Sequence, residues 1–435
     1  MRSRSARLTS QRGPHIATPA LDTSFLDGCR GIAALYVVIG HARWLLWEGH
    51  GSAQHHLLDY GPLCRALLYG LGAFRYGHQA VLFFFVLSGF VIHYPYARRL
   101  AADPTSGFDW LRFMGRRARR LYPPLLLAIL LTGALDAIGS LLGYGIYARA
   151  TPSALMNVSI GTDHSPVTLI GNLFFLMTAY VPVWGTNGPL WSLKFEWWFY
   201  VLYPLLRLCA RRSPWPVAIA LWAAFALTPF GSLWPLALVR QIASAYAVWW
   251  LGALLAERLA GRVTFNWFHA GTLAGLLLPL AAAHADGTRA DALWGLAFFG
   301  LLSIAFGLKA RGWRLAAFEA TRWLGALSYT LYVVHFPILV LLSGWLMSRS
   351  PTAALPRHFG WVFVGTAATL LVAYAGHLFV ERPFLSSRRN LAAPPQPLRK
   401  LAPARAAQGV PAFEPAAGGL EASGARSSEA GVARS

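Results

Sequence analysis

One arginine and one histidine stand out in the first apolar run of the chain, LDGCRGIAALYVVIGHA. Arg30 opens this run and His41 lies eleven positions later. A helix would therefore carry both side chains on one face, about 16 Å apart along its axis. An ionisable residue inside a membrane helix is energetically expensive and points first to function. The alternative is a structural histidine whose hydrogen bonds are satisfied by a neighbouring helix.

Two further ionisable residues lie at a matching depth in later apolar segments. A rise of 1.5 Å per residue places His41 and His335 about 18 Å from the cytoplasmic surface, and Glu196 about 9 Å below the opposite surface. A hydrocarbon core about 30 Å thick puts all three in one layer outward of its midplane. A histidine there could remove a hydroxyl proton, and a carboxylate could orient it or stabilise its charged form. The alternative is a buried pair that only fixes helix register.

A second polar layer is predicted at the cytoplasmic ends of the helices. The guanidinium fork binds phosphate bidentately, so arginines in this layer predict a site for a phosphorylated, anionic ligand. Juxtamembrane arginines also contact lipid headgroups, and this is the simpler interpretation for Arg116 and Arg119 in RRARRLYPP. The layer contains Arg30, Arg116, Arg117, Arg119 and Arg120, with His93, at the inner end of FFFVLSGFVIHYPY, as a further candidate.

Composition predicts an all-α integral membrane protein. Hydrophobic residues make up 56% of the 435 residues and charged residues 13%, against about 25% charged in soluble domains. The apolar runs are continuous, which favours helices over alternating barrel strands. We predict ten transmembrane helices, near residues 29–47, 78–96, 121–146, 190–209, 214–234, 239–257, 267–284, 291–309, 323–346 and 360–380.

The net charge of +21 is explained by membrane sidedness, so no nucleic-acid partner is expected. With ten spans, most of the 38 Lys and Arg residues fall on the side that holds the amino terminus. The positive-inside rule then places both termini in the cytoplasm. This sidedness would be lost if a span early in the chain had been miscounted.

Three regions follow from composition along the chain. Residues 1–24 are predicted to be a mobile cytoplasmic N-terminus, 25–384 one membrane domain, and 385–435 a disordered cytoplasmic tail rich in Ala, Pro, Gly and Ser. The longest outside loop is 147–189. Its short apolar stretch TLIGNLFFLMTAYV is expected to lie in the interface, re-enter the membrane or pack over the bundle, without spanning it.

Several single residues receive structural interpretations. Asp27 could cap the first helix or pair with the arginine three residues later. Ser88 and Gly89 fit close helix packing, and substrate passage is the alternative. Lys194 faces away from Glu196 and is expected to extend outward to the interface. Asp136 has no visible partner in the sequence.

Six stretches together resemble one known family. They occur in family order between residues 26 and 384 and are LDGCRGIAALYVVIGHA, FFFVLSGFVIHY, RRARRLYP, WSLKFEWWFYVLYP, SYTLYVVHFP and ERPF. The family is the membrane-bound acyltransferase family 3, the acyl-CoA-dependent O-acyltransferases of bacterial envelope glycans and some secondary metabolites. Many members carry a second acidic residue and a glutamine after the motif glutamate, where this chain has Trp197 and Trp198.

The resemblance implies roles for particular residues. Arg30 and His41 match the family's essential arginine–histidine pair, Arg117 and Arg120 match its paired arginines before Leu-Tyr-Pro, and Trp191, Ser192 and Glu196 match its tryptophan–serine–glutamate motif. From these matches together with the two polar layers, we assign catalysis to His41 and Glu196. Donor binding is assigned to Arg30, Arg117, Arg120 and Tyr122. Acceptor-binding or supporting roles are assigned to Trp191, Ser192, His335 and Ser88. No metal site is expected.

The resulting hypothesis is transfer of an acyl group, expected to be acetyl, from cytoplasmic acyl-CoA to a hydroxyl group. The acceptor would be a glycan, a lipid-linked sugar or a small metabolite, and the location the bacterial inner membrane. His41 would act as general base or carry the acyl group itself. One alternative is a proton-coupled transporter or flippase of lipid-linked sugars. Another is a structural or sensory membrane protein.

Overall fold

The computed structural model describes residues 22–227, 236–283 and 287–385. Within these ranges the secondary structure is helical, apart from an isolated bridge between Met177 and Val181. This agrees with the predicted all-α class. The predicted mobile N-terminus and the predicted disordered tail lie almost entirely outside the described residues.

The helices follow one another with short connections. In chain order they are α1 Phe25–Leu46, α2 Gly49–Ala53, α3 Pro62–Gly72, α4 Gly77–Ala102, α5 Trp110–Leu141, α6 Ala154–Ser159, α7 Pro166–Leu173, α8 Leu193–Cys209, α9 Trp215–Leu227, α10 Ala237–Leu259, α11 Trp267–Ala283, α12 Thr288–Ala310, α13 Ala316–Ala320, α14 Arg322–Ser348, α15 Gly360–Gly376 and α16 Arg382–Leu385. Three 3-10 segments, Gln54–Asp59, Ala73–Arg75 and Gly188–Ser192, and a π-helical turn, His377–Glu381, complete the described structure.

Seven helical segments are long and apolar enough to cross a membrane: Phe25–Leu46, Gly77–Ala102, Trp110–Leu141, Ala237–Leu259, Ala290–Ala310, Arg322–Ser348 and Gly360–Phe384. Each coincides with one of the ten predicted spans. Two more predictions correspond to the shorter apolar helices α9 and α11. The predicted span 190–209 is a 3-10 turn followed by the 17-residue α8. The chain is an integral membrane protein, and the count of ten and the cytoplasmic termini stay predictions.

Helix α5 begins eleven residues before the predicted span at 121. The Asp109 side chain accepts a hydrogen bond from the backbone N–H of Arg112 (2.9 Å) and caps the helix. The helix therefore continues through the arginine run, which the sequence interpretation had placed before the membrane segment. Hydropathy marks where a helix enters lipid, whereas a cap marks where the helix starts.

Helices α4 and α10 pack closely because glycines face the partner backbone. A Cβ added at Gly89 would lie 1.9 Å from the carbonyl oxygen of Trp249, and one at Gly252 would lie 1.8 Å from that of Val86. Small residues allow membrane helices this approach. The predicted packing role of the Ser88-Gly89 pair is confirmed for Gly89.

Helices α1 and α14 form a second close pair in the same way. A Cβ at Gly31 would lie 2.5 Å from the Cβ of Leu324, and a Cβ at Gly325 would lie 2.1 Å from the carbonyl oxygen of Asp27. This contact places the arginine and histidine of α1 along the polar residues of α14.

The segment 147–189 does not span the membrane within the structure, because its longest helix, α7, has eight residues. It packs against α5 through Asp136, which the sequence interpretation had left isolated. The Asp136 carboxylate accepts hydrogen bonds from the backbone N–H (2.9 Å) and hydroxyl (2.7 Å) of Thr186, and lies 2.9 Å from Nε2 of His164. Its partners lie 28 and 50 residues away, which a local pattern does not reveal.

The prediction that Lys194 extends outward is wrong. Its side chain is buried, and its ammonium group donates hydrogen bonds to Thr178 and Gln241. The ammonium also lies 4.7 Å from the ring centre of Phe195. These neutral partners come from a loop and from α10, and together they satisfy a buried cation.

Candidate functional site

A cavity of about 930 Å³, including its open mouth, lies between α1, α4, α5, α8 and α14. Its apolar wall comes mainly from α4, including Val81, Phe84 and Phe85. Its polar lining contains six of the ten residues that were assigned site roles from the sequence: Arg30, Ser88, Arg117, Arg120, Ser192 and Glu196. The other polar residues of the lining are Asp27, Ser328, Tyr200, Tyr329 and Tyr332.

Arg30 is fixed between its own helix and α14. Its Nη2 donates to the Gly325 carbonyl oxygen (2.6 Å), its Nε lies 2.9 Å from the Ser328 hydroxyl, and its Nη2 lies 3.1 Å from the Asp27 carboxylate. The predicted pairing of Asp27 with Arg30 is therefore present. These contacts use one edge of the guanidinium and hold the group at the cavity wall.

Arg117 and Arg120 reach the same cavity from α5. The Arg117 guanidinium lies over the rings of Phe113 (5.2 Å) and Tyr200 (5.3 Å). Arg120 has no carboxylate within 4.0 Å among the described residues, and its Nε is buried without a hydrogen-bond partner. The buried hydroxyl of Tyr329, also in the cavity lining, has none either. Orphaned buried donors beside a cavity are suited to an anionic ligand.

Glu196 faces the cavity from the first turn of α8, where the Tyr200 hydroxyl one turn later donates to its carboxylate. The charges of Glu196 and of Glu381 both act on Arg120. Among the described residues, no hydrogen bond joins Glu196 to His41 or His335. The matching depth inferred from the sequence therefore does not bring the carboxylate against the imidazoles.

The two histidines themselves are in direct contact. Nδ1 of His41 lies 2.8 Å from Nε2 of His335, and Nδ1 of His335 lies 2.7 Å from the carbonyl oxygen of Tyr332. The rings are nearly parallel, at 19° to each other, and their centres are 5.0 Å apart, as expected for two imidazoles joined edge to edge by a hydrogen bond. His335 is fully buried, and His41 is partly exposed.

The tautomers of the neutral pair follow from these contacts. A carbonyl oxygen only accepts, so Nδ1 of His335 carries a proton and its Nε2 holds a lone pair. That lone pair accepts the Nδ1–H of His41. Nε2 of His41 is left as an unprotonated nitrogen, and the second ring holds it in that state.

Neither imidazole lines the arginine cavity. Tyr332 separates them, since its side chain lies in the cavity wall while its backbone carbonyl holds His335. The Ser192 hydroxyl donates to the Tyr332 hydroxyl (2.8 Å), which in turn donates to the Pro189 carbonyl oxygen (3.2 Å). The hydrogen-bonded Tyr332 side chain thus forms part of the cavity wall on the side where His335 lies.

Besides the two histidines, two more residues that were assigned roles from the sequence, Tyr122 and Trp191, lie outside this cavity. The Tyr122 hydroxyl donates to the Leu173 carbonyl oxygen (3.3 Å), and its ring packs against Phe175 and Trp197. Trp191 stacks on His78 (5.4 Å between ring centres) and lines a neighbouring cavity. Tyr122 supports the loop that carries Phe175. Trp191 lines the neighbouring cavity, while the next residue, Ser192, lines the arginine cavity.

One acidic residue close to the site received no role from the sequence. Glu381 is buried in the π-helical turn, where it accepts from the Thr330 hydroxyl (2.6 Å) and lies 3.0 Å from Nδ1 of His377. Its charge acts on both Arg30 and Arg120. The available signal was its place in the ERPF motif, an acid at the end of an apolar run.

Comparison with known proteins identifies the class. The model of an acyltransferase domain, acyltransferase family 3, matches residues 23–378, which include every residue of the cavity. The chain belongs to this family, as the resemblance had indicated. It is a membrane-bound acyltransferase.

Its relatives span nearly the same length. Acyltransferase MdmB of Streptomyces mycarofaciens is 27% identical over 421 residues, covering 87% of this chain and 96% of the relative. Nodulation protein 10 of Rhizobium leguminosarum bv. viciae is 25% identical over 409 residues, covering 84% and 94%. Protein 2 in the picA locus of Rhizobium radiobacter is 30% identical over 173 residues, 40% of this chain and 72% of the relative. No solved structure matches the chain.

Proposed function

We propose that this acyltransferase moves an acetyl group from cytoplasmic acetyl-CoA to a hydroxyl of a glycan or glycosylated acceptor at the bacterial inner membrane. The observation that carries the proposal is the ordered histidine pair, His41 and His335, next to an arginine-lined cavity. Such a pair supplies a base for a hydroxyl group. The arginines supply a site for a phosphorylated carrier.

The donor occupies the arginine cavity in this proposal. Arg30, Arg117 and Arg120 bind phosphate groups of the carrier at the cytoplasmic mouth, where bidentate contacts are strongest. The thin pantetheine arm extends along the apolar wall formed by α4. Nε of Arg120 and the Tyr329 hydroxyl, which have no hydrogen-bond partner among the described residues, each gain one from the carrier.

Proton transfer falls to Nε2 of His41. This nitrogen takes the proton of the acceptor hydroxyl as the oxygen attacks the thioester carbonyl carbon. The carbon–sulfur bond then breaks, and the thiolate leaves with the proton from His41 as the free thiol. His335 accepts the Nδ1–H of His41 throughout and shares the positive charge, so no proton is lost to the lipid.

The thioester reaches His41 only when the Tyr332 side chain leaves its place in the wall. Its hydroxyl is held by Ser192, which follows Trp191 in the motif. The arriving pantetheine arm competes for this hydrogen bond and displaces the ring. In this way donor binding opens the path to the base, and the closed wall protects the empty enzyme from water and proton leakage.

Glu196 has an electrostatic role here. Three guanidinium groups in one cavity repel each other. The Glu196 carboxylate, to which the Tyr200 hydroxyl donates a hydrogen bond, offsets part of this repulsion. Glu196 therefore sets how tightly the cavity binds an anion. Among the described residues Glu196 makes no hydrogen bond to either imidazole, and neither imidazole lines its cavity, which argues against a direct part in proton transfer.

The direct test is transfer in membranes containing the full-length protein, radiolabelled acetyl-CoA and the envelope glycan fraction. We expect labelled glycan with the wild type and a loss of at least about 100-fold with His41→Ala. Mass spectrometry of envelope glycans with and without the gene identifies the acceptor. Undiminished transfer by His41→Ala contradicts the proposed chemistry, and proton-coupled flux without any thioester consumption contradicts the proposed reaction.

A further inference from the structure

An apolar groove of about 1280 Å³ lies between α1, α4 and α12, away from the arginine cavity. Nearly all of its surface is hydrocarbon, from residues such as Phe83 of α4 and Phe298 of α12. Ile32 of α1 and Leu301 of α12 line it and are 38% and 41% exposed. A groove of this composition on a membrane helix bundle suits an alkyl chain.

One end of the groove is closed and electrically balanced. Phe25 of α1 and Phe306 of α12 touch there, with ring centres 5.5 Å apart. Two cations next to groove residues are paired with carboxylates at this end. Lys309, which follows Leu308, lies 2.9 Å from Glu319 and 3.5 Å from Asp22, and Arg314, which precedes Leu315, lies 3.8 Å from Glu319.

Two arginines, Arg43 and Arg75, lie at the opposite end of the groove, and no salt bridge joins either to a carboxylate among the described residues. Tyr76 lines the groove there, and Arg75 lies over its ring (4.8 Å) and donates to its hydroxyl (2.6 Å). A Cβ at Gly40 would lie 2.7 Å from the carbonyl oxygen of Phe74, which brings Arg43, one turn later, beside the same corner. Tyr36, two turns before Arg43 on α1, also bonds this corner through the Ala73 carbonyl oxygen.

The charge at this corner is unbalanced within the part of the chain that the structure describes. Neither Arg43 nor Arg75 has a carboxylate within 4.0 Å, and Nε of Arg43 is buried without a hydrogen-bond partner. The acidic residue of α12 closest in sequence to Trp294 of the groove is Asp291, which is already paired with His78 (2.8 Å). The corner thus favours a ligand with net negative charge.

We infer that the groove binds an anionic phospholipid. Its phosphate lies between Arg43 and Arg75, and one alkyl chain runs along the groove toward Phe25. The distance from Tyr36 to Phe25 along α1 is about 16 Å, close to half of a hydrocarbon core about 30 Å thick. A zwitterionic lipid brings its own cation against two arginines and binds less well. The site is independent of the proposed acyl transfer.

The test uses the purified full-length protein in nanodiscs that contain a trace of phosphatidylglycerol with a diazirine at one chain end. Irradiation labels whatever lies at the closed end of the groove, and mass spectrometry maps it. We expect labelling of the first turns of α1 and of 298–308 on α12. In Arg43→Gln/Arg75→Gln the labelling there should fall about tenfold, because two charge-assisted hydrogen bonds are lost.

Two controls make the result decisive. Arg349→Gln removes an exposed arginine that stacks on Trp345 at the far end of α14 and should label like the wild type. Ala305→Trp fills the groove and keeps both arginines, so it should abolish labelling at this site even if the double variant fails to fold. Equal labelling by phosphatidylglycerol and by a phosphatidylcholine probe with the same diazirine overturns the inference and leaves an ordinary boundary lipid. Wild-type labelling in Arg43→Gln/Arg75→Gln or in Ala305→Trp overturns it as well.

Discussion

His41 of α1 and His335 of α14, which are 294 residues apart in the chain, form a hydrogen-bonded pair. Nδ1 of His335 in turn donates to the backbone carbonyl oxygen of Tyr332. Catalytic histidines are more often oriented by a carboxylate. In the proposed mechanism the imidazolium charge is therefore shared with a neutral partner. Nε2 of His41 is the atom on which the chemistry depends.

Two replacements of His335 should distinguish its hydrogen bond to His41, which orients that ring, from the packing of its own side chain. We expect His335→Leu to lower transfer about 100-fold, because Nδ1 of His41 loses its acceptor and the tautomer is no longer fixed. His335→Gln should retain activity well above the Leu variant, since its amide oxygen accepts from His41. The rate is measured with radiolabelled acetyl-CoA. His269→Gln, an exposed histidine of α11, is the matched control, and equal activity of the Gln and Leu variants would contradict the orienting role.

The pH dependence of transfer should follow the same pair. The base acts only when Nε2 of His41 is unprotonated, so the rate rises with pH and is lost as pH falls through the protonation of the pair. His335→Gln should move the acidic limb of this profile, because it removes the ring that shares the charge. A rate–pH profile of both proteins at saturating acetyl-CoA checks this. Superimposable acidic limbs would show that another group is titrating.

Replacement of Arg120 in the cavity should lower the affinity for the donor. Arg120→Gln is expected to weaken equilibrium binding of radiolabelled acetyl-CoA about tenfold, or about 1.4 kcal/mol, because a charge-assisted contact to phosphate is removed. Arg349→Gln should bind normally. Glu196→Gln should bind the donor at least as tightly as the wild type, since the cavity becomes more positive. Equal donor affinity of the Arg120 variant and wild type would contradict the assignment.

Replacement of Ser192 should loosen the Tyr332 side chain, which lies between the cavity and the histidines. Ser192→Ala removes the donor that holds the Tyr332 hydroxyl, so the ring should open more readily. We expect slow hydrolysis of acetyl-CoA without any acceptor, followed as release of free thiol. The double variant Ser192→Ala/His41→Ala should lose this hydrolysis, because the base is missing. Hydrolysis that persists in the double variant would place the water reaction elsewhere.

The glycine contact between α4 and α10 should govern stability. Gly252→Ala puts a methyl group 1.8 Å from the Val86 carbonyl oxygen, so the helices must separate. We expect a destabilisation of about 1–3 kcal/mol, as for other overpacked sites. Thermal unfolding in nanodiscs measures it. Gly70→Ala, where nothing lies within 4 Å of the added group, is the control, and an equal effect of both substitutions would argue against the close packing.

The sequence by itself determined the all-helical membrane class and the shared face of Arg30 and His41, which both contact α14. It predicted ten spans, and the seven long apolar helices of the structure coincide with seven of them. These follow from hydropathy and a helical period of 3.6 residues, which are local properties. The arginine run before Leu-Tyr-Pro was also visible, as was the family.

Only the tertiary structure decided which polar groups meet. A helix in lipid is compatible with many rotations and neighbours, and close glycine contacts select one of them. They place His335 against His41, leave Glu196 with Tyr200, and put Tyr332 between cavity and base. The burial of Lys194 was misjudged for the same reason, because its partners come from a distant loop and helix.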